Sequence, residues 1–248
     1  MPFENHVQYH LLFLHYLHFI KVLTCMTMDV LSAIKNRKST RAFVDKQVSP
    51  QTIVDVLDAA RWAPSGANTQ PWKVAVVTGE TKTNLCLSLA GAFQSNSPST
   101  ADYEYYASPV EEPYRGRQRR CGAALYGALD ISRQDKEQRR AQWLKNYFAF
   151  DAPIILFIFV DQNLETGSWV DMGMFIQNIM LAARGHGLES CPQAALAEYP
   201  DIVRSHLTIN DEQSLICGIA LGFSDTTAAV NQYRTERESV DSFTSWHS

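Results

Sequence analysis

At 248 residues the chain is long enough to bury most of its unfolded surface as one domain, or at most two small ones, and its 46% hydrophobic, 19% charged composition excludes a disordered or fibrous protein. A formal net charge of -4 removes the basic excess that nucleic-acid binders need, so small molecules are the expected ligands. No uninterrupted apolar run reaches the ~18 to 20 residues of a membrane span, and five scattered cysteines (Cys25, Cys86, Cys121, Cys191, Cys217), without a CxxC pair or zinc-like cluster, point to a reduced, cytoplasmic setting.

The first 27 residues stand apart. They hold His6, His10, His15 and His18, and the apolar run from Leu11 to Ile20 is broken twice by histidine. The segment lacks the basic start and small-residue cleavage site of a signal peptide. Some histidine spacings fall near one helical turn, but a metal strip also needs carboxylates and rigidity. An upstream start codon or an amphipathic, partner-covering extension explains it better. Residues 1–28 are therefore read as an N-terminal extension, and residues 29–248 as the domain with a C-terminal arm.

From Asp29 a short helix is expected, with Val30, Leu31 and Ile34 on one face, leading into RKSTRAF. Ser49 then supplies an N-cap and Pro50 a first helical position, and Ile53, Val56, Leu57 and Ala60 form an apolar stripe that must stop before Pro64. KVAVVT at 73–78, bounded by Pro71 and Gly79, reads as a strand. Helical segments follow, one of them basic around RGRQRRCGAALYGAL. The continuous apolar run IILFIFV at 154–160 is a strand covered on both faces. Residues 170–183 are apolar nearly all round and stop at Gly185, which predicts a central buried helix capped by glycine. LICGIALGF at 215–223 supplies a further strand, and the last ~20 residues form an extended arm able to wrap a second subunit. Strands and helices are interspersed without regular βαβ alternation or internal repeat, so the class is α+β.

Three places carry candidate chemistry. An extended RKSTR turns Arg37, Ser39 and Arg41 to one side, two guanidiniums and a hydroxyl suited to a phosphate, although a solvated basic turn fits the spacing equally well. PSGANTQPW at 64–72 is a proline-bounded loop presenting Ser65, Asn68 and Gln70, with Gly66 permitting unusual backbone angles. It suits a flat polar heterocycle, or simply caps the preceding helix. SCPQAA at 190–195 offers backbone amides around a proline turn. Its Cys191 has no neighbouring base or cation that marks a nucleophile and reads as a packing residue. Arg234 and Arg237 in the tail matter only if the tail returns to the anion site. Gly185-x-Gly187 ends a helix instead of opening one after a strand, so it is no dinucleotide fingerprint, and no GxSxG, Walker or HExxH motif occurs.

With these residues in hand, RKSTRAFVDKQVSPQTIVDVLDAARWAPSGANTQPWKVAVVTG closely resembles the N-terminal signature of FMN-dependent nitroreductases. EEPYRGRQRRCGAALYGAL, GSWVDMGMFIQNIMLAARGHGLESCPQAA and ICGIALGFSD extend the likeness to the nitrobenzoate-reductase-like branch, over roughly residues 29–240. The resemblance implies a central, mostly antiparallel sheet flanked by helices in an intertwined homodimer, with one noncovalent FMN at each of two interfacial sites. It implies that Arg37, Lys38, Ser39 and Arg41 hold phosphate and ribityl, with Arg237 completing the anion clamp. Pro64, Ser65, Gly66 and Asn68 would come from the other subunit and line the isoalloxazine, and Pro192, Gln193 and Ala194 would lie along the flavin edge. Lys38 stands where relatives commonly have arginine, which keeps the charge and loses the fork. The implied activity is ping-pong transfer from NADH or NADPH to nitroaromatic or quinone-like acceptors, with no catalytic side chain and no metal. Phe93, Tyr103, Tyr105, Tyr106 and Trp143 are candidate pocket walls, or core residues. A flavin-binding redox sensor or carrier, and a reductive dehalogenase or flavin-remodelling enzyme on the same fold, are the alternatives. A nucleic-acid adaptor using the arginines between Arg115 and Arg140 is disfavoured by the acidic residues among them.

Overall fold

The computed structural model describes residues 28–248, and the chain divides into two compact units, Met1–Asn36 and Arg37–Ser248. The expectations for His6, His10, His15, His18 and Cys25 lie outside the described residues. In the first unit, helix α1 (Val30–Asn36) starts where the Asp29 carboxylate accepts the Ser32 N–H at 3.0 Å. Val30, Leu31 and Ile34 of its predicted face are all exposed.

The second unit opens its regular structure with α2 (Pro50–Ala60), capped as expected: Ser49 Oγ accepts the Thr52 N–H at 3.0 Å, and Ile53, Val56 and Ala60 are buried. There follow β1 (Lys73–Val77), α3 (Gly79–Gln94), α4 (Tyr114–Ala128), α5 (Lys136–Leu144), β2 (Ile154–Asp161), α6 (Thr166–Gly185), β3 (Glu189–Gln193), α7 (Pro200–Leu207) and β4 (Gln213–Gly222). The four strands form one antiparallel sheet in the order β1-β2-β4-β3.

Alternation along β2 builds two cores. Ile154, Leu156, Ile158 and Val160 pack with Ile53 and Val56 of α2 and Met172, Phe175 and Ile179 of α6. Ile155, Phe157 and Phe159 pack on the other face with Leu85 and Leu89 of α3, Tyr147 and Val203. Every residue from Ile154 to Val160 is buried, which is why the run is apolar without alternation. Between Ile158 and Phe159 the β2–β4 register slips by one residue at Ile216. The excursion before α4 satisfies the backbone there: Tyr103 Oη donates to the Ile216 carbonyl at 2.7 Å, and Asp102 accepts the Leu215 N–H at 2.7 Å. Asp102 is held in turn by the buried Arg204 at 2.5 Å.

Two expectations need correction. Helix α6 buries one face only, Asp171, Met172, Phe175, Ile179, Met180 and Ala183, and leaves Val170 exposed. Its cap does contain a glycine, but Gly187, two residues after the expected Gly185. His186 is the C-cap, Gly187 takes the left-handed conformation (φ 70°), and Leu188 N–H reaches back to the Ala183 carbonyl at 2.9 Å.

Candidate functional site

Residues 37–41 run extended along the outer edge of the sheet. Ser39 bridges Ser190 of β3 in parallel, and the Thr40 N–H donates to the Ser190 carbonyl at 3.0 Å. Farther on, Val44 N–H donates to the Phe223 carbonyl and Asp225 N–H to the Ala42 carbonyl. The segment is thereby tied both to β3 and to the chain leaving β4. Thr40 is fully buried, while Arg37, Lys38, Ser39 and Arg41 are only partly so.

These four residues line a cavity of about 100 Å³ together with Cys121, Tyr233, Arg234, Thr235 and Arg237. Five of its nine lining residues are cationic and none is acidic. The charges feel one another: burial lowers the Arg37 pKa, and Arg237 and then Arg234 lower it further. Arg41 donates to Tyr233 Oη at 2.8 Å and to the Ser39 carbonyl at 3.3 Å. Arg237 is turned onto the Thr235 hydroxyl at 2.8 Å and the Glu236 carbonyl at 2.8 Å. Lys38 departs from the expected phosphate role in one respect, since its ammonium is bonded to the Asn231 carbonyl.

The tail thus returns to the cationic cavity, and Asn231 is its anchor. Its buried side chain accepts the Arg41 N–H at 2.8 Å and donates to the carbonyls of Ala42 (2.9 Å) and Asp225 (2.8 Å). Beyond it, Glu238 pairs with Arg117 at 2.9 Å and Arg120 at 3.3 Å on α4. Sequence reasoning missed Asn231, Tyr233 and Thr235. Asn231 and Tyr233 stand about 190 positions from Arg41, which they hold, and no local pattern marks such a partner, while Thr235 accepts from Arg237 two positions away.

The 64–72 loop is shaped differently than expected. Gly66 is not the unusual residue. Ala67, Asn68 and Gln70 take positive φ values of 48°, 58° and 49°. The Gly66 N–H instead donates to the buried Asp171 carboxylate at 3.1 Å, and Ser65 Oγ accepts the Gln70 N–H at 3.0 Å. Trp72 closes the loop by stacking on Phe175 at 4.7 Å. Pro64, Gly66 and Asn68 are exposed, and no residue of this loop lines the arginine cavity.

Pro192, Gln193 and Ala194 stand where β3 gives way to a 3₁₀ turn, Ala194–Ala197. The turn lies close on β4 because position 218 is glycine: a Cβ there would run into the Leu196 side chain. Gln193 is buried and donates to the Asn146 carbonyl at 3.0 Å, yet its Oε1 has no hydrogen-bond partner among the described residues. Thr40 Oγ1 and Ser190 Oγ are likewise buried and unpartnered. Buried polar atoms are rarely left so, and this set follows the strip from the 37–41 segment into β3.

Cys191 is buried, and burial pushes its thiol upward. Contrary to the sequence reading, cations do stand near it, since Arg41 and Arg37 pull the thiol down, but burial prevails. Of the candidate walls, Phe93 packs toward Tyr147 in the core at 4.9 Å. Tyr103 lies edge-on to Trp169 at 4.8 Å, while Tyr105, Tyr106 and Trp143 are exposed. No residue of α4 is buried; Arg117 and Arg120 reach tail glutamates and Arg115 pairs with Glu112, as expected of a solvated face.

Residues 34–223 match the nitroreductase family, to which the chain belongs. Among curated relatives it is 36% identical to 4-nitrobenzoate reductase of Pseudomonas putida, over 88% of this chain and 96% of that protein. It is 34% identical to nitrobenzene nitroreductase of Ectopseudomonas oleovorans, over 86% of this chain and 94% of that protein. The crystal structure of the FMN-dependent nitroreductase NfnB from Mycobacterium smegmatis in complex with NADPH superposes with a TM-score of 0.84 at 34% identity. It covers 89% of this chain and 100% of that one.

Proposed function

We propose that the protein is an FMN-dependent NAD(P)H oxidoreductase that reduces nitroaromatic or quinone-like acceptors, working as a homodimer. The observation that carries this reading is the cavity lined by Arg37, Lys38, Ser39, Arg41, Arg234 and Arg237 with no acidic residue. Clustered guanidiniums and a hydroxyl match a terminal phosphate. The unpaired atoms of Thr40, Ser190 and Gln193 beside it suit a polar group lying along β3. The relatives, named as nitroreductases, supply the reaction class.

In this reading Arg37, Arg41 and Arg237 bind the phosphate, and Ser39 and Lys38 face the ribityl end. Lys38 also holds the tail in place through Asn231. Pro192, Gln193 and Ala194 present backbone and amide groups to the edge of the isoalloxazine. Pro64, Gly66 and Asn68 are exposed, Ser65 is half-buried, and all four stand apart from their own chain's cavity, which supports their service to the site of a second copy. The exposed Val240, Phe243 and Trp246 at the end of the tail support the same partner. Bound FMN supplies reversible two-electron chemistry, so donor and acceptor use the site in turn and no side-chain acid or base is needed. The four described cysteines are unpaired, in keeping with a reducing cytoplasm.

The test is an anaerobic visible spectrum of the protein loaded with FMN, taken before and after NADPH or NADH and again after a nitroaromatic. A flavin band that bleaches with nucleotide and returns with the acceptor is expected. Failure to bind flavin overturns the reading, and a band that binds but never bleaches favours the sensor or carrier.

A further inference from the structure

One carboxylate stands directly behind the cationic cavity without lining it. Ser39 and Ser190 are opposed in a parallel bridge, so one position earlier Lys38 stands opposite Glu189. Glu189 is half-buried at the start of β3. One of its oxygens is paired with the half-buried Arg184 of α6, and the other, Oε2, is buried with no hydrogen-bond partner among the described residues. Two cations that act on it electrostatically from the cavity side, Lys38 and Arg37, both line the cavity. Arg184 does not line it.

We infer that Glu189 is a counter-charge that sets how tightly this cavity holds a phosphate. The inference rests on the reading that the cavity takes the FMN phosphate. Five cations around about 100 Å³ repel one another, and a fixed carboxylate behind two of them offsets that repulsion when no anion is present. The same carboxylate repels an incoming phosphate, so it keeps the site formed at the expense of affinity. Its effect must fall on the phosphate alone, because Glu189 does not touch the cavity. Burial raises the Glu189 pKa while Arg184, then Lys38 and Arg37, pull it down, in keeping with a carboxylate that answers to both sides. Glu189 is in this sense a positioning and specificity residue, not a catalytic one.

The discriminating measurement is the affinity of the full-length apoprotein for FMN and for riboflavin, which lacks only the phosphate, read by flavin fluorescence. Glu189→Gln is expected to tighten FMN by roughly 3- to 10-fold and to leave riboflavin within about 2-fold. Because that variant leaves Arg184 without its partner, the double variant Arg184→Gln/Glu189→Gln is measured beside it. A smaller gain of the same sign, again confined to FMN, is expected. Equal shifts for FMN and riboflavin, or an FMN preference that is unchanged or reduced in both variants, overturn the counter-charge. If the unsubstituted protein binds FMN no better than riboflavin, the phosphate-site reading itself has failed, a result separate from the first.

Discussion

At the centre of the sheet β2 presents seven consecutive buried residues from Ile154 to Val160, and each finds apolar neighbours on one face or the other. At the sheet edge, residues 37–41 gather charge around a small cavity, and Thr40, Ser190 and Gln193 leave polar atoms unpaired beside it. The first region is complete within one chain. The second is not: polar atoms there lack partners among the described residues, and its cations repel one another. On the proposed function, stability and binding fall to different residues, and substitutions should separate them.

The largest effect should come from the core. Phe157→Ala opens a cavity in the first cluster and is expected to lower unfolding stability by about 3–5 kcal/mol in a denaturant titration, with flavin affinity of the folded fraction unchanged. A loss confined to flavin binding would contradict the division. Arg41→Ala is the mirror case. It should weaken FMN by about 1.5–3 kcal/mol by removing a charge-assisted contact, while the denaturation midpoint barely moves; undiminished FMN affinity would remove Arg41 from the phosphate site. Asn231→Ala tests the seam between the two regions. It strips partners from the Arg41 N–H and from two carbonyls and should cost about 1–3 kcal/mol, with proteolysis of the tail rising in parallel. An intact, protease-resistant tail would show that Asn231 is not its anchor. The smallest effect is a pattern of labelling. Burial pushes Cys86 to about 11 and Cys217 to about 12, and raises Cys191, while Cys121 is exposed at the cavity. Brief alkylation near pH 8 should modify Cys121 first among these four, and mass spectrometry showing prompt labelling of Cys217 would contradict the packed core.

Much of the frame was legible because it rests on local signals. Ser49 and Pro50 announced α2, and the unbroken apolar run announced β2 with both faces covered. Helix α6 was misread because its composition is apolar while its burial is one-sided, and Val170 belongs to the open side. The glycine that ends it is Gly187, since a cap depends on which residue turns left-handed and two glycines were available. In the 64–72 loop the anchor is Asp171, 105 positions away from Gly66, and this contact lets Ala67, Asn68 and Gln70 take the positive φ expected of glycine. The cationic half of the site was readable from RKSTR, but its other half, Asn231, Tyr233 and Thr235, exists only once the tail has folded back. Cys191 was rightly read as a packing residue, though for an incomplete reason: cations are present and burial outweighs them.

A backbone hydrogen bond from the Thr40 N–H to the Ser190 carbonyl joins the arginine segment to β3. A lone bridge of this kind opens more readily than the ladder between β2 and β4, so the exchange of that one amide with solvent measures how often the two halves of the site part. A ligand contacting both sides must slow this opening, and the slowing grows with its concentration and affinity. Residue 40 therefore acts as a built-in clock for occupancy, readable in deuterium uptake without any colour change or turnover.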